Sequence, residues 1–260
     1  MLQSSFFRKN LDFFVFGSTW ISFVIQLMVL IISFHGIYIA NNLGKSKDIS
    51  IRFQEEFLVY FDLLMLETFF QFVEFAFYFF FVVKLKSIGL QNMSVIRYYD
   101  WIITTPSMLI SFIYYFSFLN GNRQRLIHFV QDNYQNIMLL LFWNSIMLFS
   151  GYIHERLKFV SRVGILQFLG FVSLIMTFNI IKKYVGTDKY SNTLYWTVFL
   201  IWSLYGVAFS FTDSVKNICY NFLDLFSKNF FSFFVYYQII ITRKKALASS
   251  SKRKIVESIN

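Results

Sequence analysis

The chain is short of the residues that staple, break or charge a protein. Its 260 residues include one cysteine, Cys219, one proline, Pro106, and three histidines, His35, His128 and His154. A single cysteine excludes an internal disulfide and any cysteine-based metal site, and histidines in three different segments give no ligand spacing, so no metal centre is expected. Charged residues make up 15% of the chain, against roughly a quarter in soluble domains. No linker, repeat or second domain interrupts it. What fills the chain is apolar: 57% hydrophobic residues, with 37 phenylalanines. That balance excludes a disordered or ordinary cytosolic protein and points to a bundle solvated by lipid.

A spanning helix needs about 20 mainly apolar residues, and seven such runs are present, at 13–39, 57–83, 95–118, 127–149, 160–181, 193–211 and 215–241. The expected fold is therefore an all-α integral membrane protein, a seven-transmembrane-helix bundle over 1–241. A basic, serine-rich, mobile cytoplasmic tail should follow at 242–260. The first run is long enough to be a retained helix rather than a removed signal. The net charge of +10 could suggest nucleic acid, but its basic residues sit in short segments between apolar runs and suit anionic headgroups better. Loops 41–55, 119–125 and 182–192 with the tail carry more of them than the N-terminus with loops 84–94, 151–158 and 212–214. The positive-inside rule then puts the C-terminus in the cytoplasm and the N-terminus outside. The Lys252, Arg253 and Lys254 cluster suits a lipid surface.

Charges inside the spans carry the chemistry. Lys228 lies near the middle of the last run, where a bare ammonium costs roughly 2.5–3.5 kcal/mol on insertion scales. Asp224, four residues earlier, shares its helix face. Asp100 lies on the third span, where Arg97, Asp100, Thr104 and Ser111 recur at helical steps, and Pro106 should kink that helix. Glu67 and Glu74, seven apart, share a face of the second span. Ser18, Gln26, Asn221 and Asn229 add polar positions. The bland reading, a polar seam that glues helices together, stays open for Glu74. The Phe-rich stretches 75–81 and 230–234 read as lipid-facing and packing surface.

Residues 97–106, with Arg97, Asp100, Trp101, Thr104, Thr105 and Pro106, closely resemble the third-helix motif of the type-1 (microbial) rhodopsins. Leu223, Asp224, Leu225, Phe226, Ser227 and Lys228 resemble that family's seventh-helix retinal-attachment motif. Trp202 to Tyr205 on the sixth span, and Asn144 to Met147 with Gly151 on the fourth, fit its pocket pattern. The resemblance covers the whole seven-helix body. It implies that Lys228 binds all-trans-retinal as a Schiff base, with Asp100 and Asp224 as counter-ions, Asp100 as proton acceptor and Arg97 stabilising the cluster on the outer side. It further implies that Trp101, Thr104, Thr105, Met108, Asn144, Met147, Gly151, Trp202, Tyr205 and Phe209 surround the chromophore. A positive nitrogen buried in low dielectric needs nearby anions, and two carboxylates supply them.

Departures from the family pattern are informative. Ser111 stands where proton pumps often carry a carboxylate donor, so acceptor, first threonine and donor positions read Asp-Thr-Ser. Gly206 replaces the usual sixth-helix proline, and Lys216 stands near the usual place of a proton-release glutamate. The polar set around Glu67 and Glu74 resembles that of rhodopsins encoded by giant viruses, and a Glu pair at this spacing also resembles channelrhodopsins. The resulting expectation is a light-activated, non-enzymatic transporter whose partners are retinal, the bilayer and transported protons or other cations, with self-assembly left open. An outward proton pump is favoured, a light-gated cation channel using Glu67 and Glu74 is the alternative, and a photosensor comes third.

Overall fold

The computed structural model describes the backbone of residues 2–157 and 163–259 and the side chains of 11–156 and 164–251. The expected start of the fifth span at Val160 lies outside the described residues, as do the side chains of Arg8, Lys9 and the Lys252–Lys254 cluster. The chain forms α1 (Leu2–Gly44), α2 (Ile51–Ile88), α3 (Leu90–Leu119), α4 (Leu126–Asp132), α5 (Tyr134–Leu157), α6 (Val163–Lys182), α7 (Lys189–Ala208) and α8 (Asp213–Asp224). A π-helical turn, Leu225–Asn229, and α9 (Phe230–Ile259) complete it. No strand occurs among the described residues.

These pieces make seven rods. The fourth is α4 followed by α5, hitched at Asn133, whose amide still bonds Phe129 O and whose carbonyl still accepts from Ile137 N–H. The seventh is α8, the π turn and α9. Five helices are individually long and apolar enough to cross a membrane: Leu11–Gly44, Ile51–Ile88, Leu90–Leu119, Tyr134–Arg156 and Gly164–Lys182. In α7, Tyr, Trp, Ser and Asn residues dilute the apolar run, and the seventh rod carries charges and the π turn. Large apolar side chains such as Ile31, Phe72, Phe149, Phe168 and Leu200 point outward, while Gln26, Glu67, Asn144, Asp224 and Lys228 are buried. That inversion of a soluble protein's pattern follows from lipid as solvent. The Phe-rich stretches do both jobs expected of them: Phe79, Phe80, Phe230 and Phe233 are exposed, Phe81 and Phe231 buried.

The rods outrun the hydropathic segments because polar residues extend them beyond the apolar core. The expected loop 84–94 shrinks to Gly89, whose φ of +77° lets the chain reverse at no steric cost. Gly121, at φ +93°, does the same after α3. These glycines mark the two ends of the bundle. The tail differs from expectation: α9 runs on to Ile259, because 242–251 holds no Gly or Pro to stop it. Ala246 is buried and Ser250 Oγ donates to Asp48 O at 2.7 Å. Pro106 does not interrupt α3.

One charge in the second span drew no attention in the sequence. Asp62 accepts both arms of Arg125, at 2.7 Å each, and the Leu126 amide at 2.9 Å, tying α2 to the start of α4 at the Gly121 end. Asp188 caps α7 by accepting from Ser191 N–H at 2.9 Å.

The close approach of α1 to α2 and α9 rests on Gly36, where an added Cβ would lie 2.6 Å from Leu64 Cδ1 and 2.9 Å from Tyr236 Cδ2. Gly36→Leu is expected to cost about 1–3 kcal/mol, seen as a lower thermal midpoint in detergent. An unchanged midpoint would mean that these helices have room to part.

Candidate functional site

Lys228 lies on the π turn, which closes with the Phe230 amide bonding Leu225 O, five residues back. An extra residue per turn of this kind re-aims side chains and often marks a functional site. The Lys228 ammonium donates to Asp100 Oδ2 at 2.9 Å and stands 3.3 Å from Glu74 Oε1 and 3.5 Å from Asp224 Oδ1. None of the four side chains is more than 4% exposed. The i, i+4 pairing with Asp224 expected from an α-helix is thus the longest of three contacts. The amine is shared between α2, α3 and α8, and the cluster holds three carboxyl groups rather than the two the sequence suggested.

The three acids are differently supported. Asp224 receives Arg97 Nη1 at 2.9 Å, Tyr78 OH at 2.7 Å and Tyr205 OH at 2.8 Å. Arg97, wholly buried, also donates to Asn217 Oδ1 at 3.2 Å and to Asn221 Oδ1, and Asn221 Nδ2 donates to Ser18 Oγ at 2.8 Å. Its guanidinium lies 5.2 Å from the Phe81 ring centroid. Asp100 has the amine alone; its Oδ1 has no hydrogen-bond partner. Glu74 has no hydrogen bond on either oxygen.

Glu67 and Glu74, expected to act as a pair, separate. Glu74 joins the amine, whereas Glu67 accepts from Ser232 Oγ at 3.0 Å beside Ser111, nearer the Gly121 end. Gln71, between them on α2, Gln26 on α1 and Asn229 on the π turn are each buried with polar atoms unpartnered; Gln71 Oε1 accepts from Ser33 at 3.1 Å. Toward the Gly89 end, Lys216 pairs with Glu155 at 2.6 Å and with Asp213 at 3.1 Å. Sequence reasoning noted Lys216 but missed Glu155, and it missed Tyr78, although Tyr78 sits four residues after Glu74 on the same face.

The carboxyl groups of Glu74, Asp100 and Asp224 come within 4.8 Å of one another, close enough for a metal ion. The amine within 3.5 Å of all three and the Arg97 guanidinium already supply the positive charge.

Lys228 also opens onto a cavity of about 110 Å³ between α3, α5, α6 and α7. Of the residues that the resemblance puts around a chromophore, Trp101, Thr105, Met108, Met147, Gly151, Trp202, Tyr205 and Phe209 line it. Two expected residues do not. Thr104 turns back to donate to the Asp100 carbonyl at 3.1 Å, and Asn144 stands behind Thr105, donating to its Oγ1 at 3.0 Å. The α6 wall, Gly170, Phe171 and Leu174, was not foreseen, because nothing but apolar bulk distinguishes those residues in a lipid-facing helix. A Cβ at Gly151 would run into the Tyr98 ring, and one at Gly206 would lie 2.6 Å from Phe171 Cζ. Glycine in place of proline at 206 therefore has a packing reason.

The sequence profile of the bacteriorhodopsin-like proteins matches residues 18–242. The chain belongs to that family. It is thereby a type-1 microbial rhodopsin, similar to viral rhodopsins. Over 85% of this chain and 95% of the other, it is 26% identical to the crystal structure of viral rhodopsin OLPVRII, with a TM-score of 0.70. The blue-light-absorbing proteorhodopsin from Med12 shares the fold at TM-score 0.64 and 20% identity, covering 88% of this chain and 98% of that one. Thermophilic rhodopsin does so at 0.58 and 17%, covering 90% and 96%. No curated protein sequence matches significantly.

The family implies a retinal chromophore, and this rhodopsin's residues fit one. An aromatic-walled cavity ends at an amine, glycines at 151 and 206 let Tyr98 and Phe171 close in on its wall, and carboxylates balance a cationic nitrogen. Lys228 is the only amine on the cavity wall among the described residues. Lys228→Ala with added all-trans-retinal should develop no protein-bound visible band, and a normal band would place the attachment elsewhere. Arg97→Gln removes the partner of a buried anion and is expected to cost about 3–5 kcal/mol in thermal unfolding; a wild-type midpoint would contradict that pairing.

Proposed function

We propose that this rhodopsin is a light-driven outward proton pump, with Lys228 as attachment site, Asp100 as proton acceptor, the Gly89 end outside and the Gly121 end cytoplasmic. Retinal bound through the Lys228 nitrogen would supply visible absorption and a light-induced change in that nitrogen's orientation and acidity. The observation that carries the reading is the unequal support of the two aspartates. Asp224 is fully engaged, accepting from Arg97, Tyr78 and Tyr205. Asp100 has the nitrogen at 2.9 Å and a free second oxygen, so it receives the proton. Tyr78 and Tyr205 fix Asp224 and so keep the acceptor's electrostatic surroundings constant.

From Asp100 the outward side offers Arg97 with Asn217 and Asn221, then the Lys216, Glu155 and Asp213 group. Lys216 takes a place where a carboxyl pair could share a proton, which favours late release directly from Asp100. The basic loops at the opposite end and the basic tail support the proposed orientation.

One observation favours a second reading, a light-gated cation channel. Glu67 and Gln71 on α2, Gln26 on α1 and Asn229 on the seventh rod are buried and keep unpartnered polar atoms, and polar groups of this kind line conduction paths.

Photocurrent against voltage in a cell membrane separates the two. The pump gives outward current at all moderate voltages, and Asp100→Asn abolishes it. A current that reverses with the ion gradients would establish the channel, and pumping that survives Asp100→Asn would overturn the acceptor assignment.

A further inference from the structure

Glu74 is one acid more than the cluster's charge requires. The Lys228 and Arg97 cations balance the Asp100 and Asp224 anions, all at 4% exposure or less. A third carboxylate, itself fully buried, would leave the site with an uncompensated negative charge in a low dielectric, which is strongly unfavourable. The other groups facing Glu74 do not change that count. Tyr78 on its own helix and Tyr205 on α7 are neutral phenols already committed to Asp224. Glu74 therefore stands as a carboxylic acid, and its hydroxyl needs an acceptor. Asp100, in the same 4.8 Å carboxyl cluster, keeps an unpartnered Oδ1.

Position 111, where a carboxyl donor is expected, is a serine beside Glu67. The acid nearest the nitrogen after Asp100 is Glu74, at 3.3 Å. Glu74 and Glu67 share a face of α2, separated by seven residues, or roughly 10 Å of helix rise. The buried Gln71 lies between them, with Asn229 on the neighbouring π turn.

We propose that Glu74 carries a proton in the dark and returns one to the Lys228 nitrogen after that nitrogen has given its own to Asp100. This rests on the pump reading above. In the first transfer the N–H bond breaks and Asp100 gains an O–H. In the second the Glu74 O–H breaks, the nitrogen gains the proton and Glu74 is left an anion beside the renewed cation. Glu74 is then refilled from the cytoplasmic side through Glu67, held by Ser232 beside Ser111.

Glu74→Gln is isosteric, neutral and unable to give up that proton. Infrared spectra of the dark protein, before and after retinal is added, should show a carboxylic acid carbonyl band that this variant lacks. Its dark visible band should stay at the wild-type position, whereas Asp100→Asn, which removes an anion, shifts the band to the red. After a flash, nitrogen reprotonation in Glu74→Gln should slow roughly 100-fold and follow bulk proton concentration, and Glu74→Asp should restore part of the speed. A red-shifted dark band in Glu74→Gln, or an unchanged infrared spectrum, would show Glu74 to be an anion. Unchanged reprotonation would remove it as the donor. If wild-type current reverses with the ion gradients, the pump reading fails, while the infrared and dark-band results still decide whether Glu74 holds its proton.

Discussion

A lysine ammonium and an arginine guanidinium are taken out of water together with three carboxyl groups, and most of the interior is arranged to make that tolerable. Desolvating any one of these charges alone would outweigh what a membrane helix gains by insertion. The solution is mutual. Arg97 neutralises Asp224, Lys228 neutralises Asp100, and two tyrosines and two asparagines complete the hydrogen bonding of the Arg97–Asp224 half. The Lys228–Asp100 half is left sparse, with free oxygens on Asp100 and Glu74. Fully satisfied buried polar networks rigidify a core, and partly satisfied ones do not.

The backbone serves the same end. The π turn directs Lys228 toward acids on α2 and α3 and not only to its own helical neighbour. Glycine at 36, 151 and 206 lets helices or rings close in where a Cβ would collide, so the bundle can surround a cavity of about 110 Å³ without opening the charged cluster to lipid. Asp62 with Arg125 fastens the Gly121 end, and Lys216 with Glu155 and Asp213 fastens the Gly89 end. The center therefore sits between two ion-paired ends, with apolar side chains as the outer coat.

Much of this was legible in the residues. Apolar runs gave the seven rods, since a spanning helix must be long and oily whatever its neighbours are. Charges inside those runs marked Asp100, Asp224 and Lys228, because a membrane retains such groups only with partners. The ends of the rods were less legible. Polar residues can continue a helix past the apolar core, as α9 does beyond Ile241, and one glycine can replace a loop, as Gly89 does. The pocket's α6 side was silent, because Phe171 and Leu174 look the same whether they face lipid or a cavity.

What the sequence determined by itself is the solvent, the helix count and the identity of the charged groups, all properties of residues taken one at a time or at helical spacing along one segment. Which acid serves which cation only the tertiary structure decided. Glu67 and Glu74 share a helix face and look equivalent in one dimension, but packing against the seventh rod gives one of them Ser232 and the other Lys228. Charge balance is a sum over neighbours within a few ångströms, and those neighbours come from helices more than a hundred residues apart.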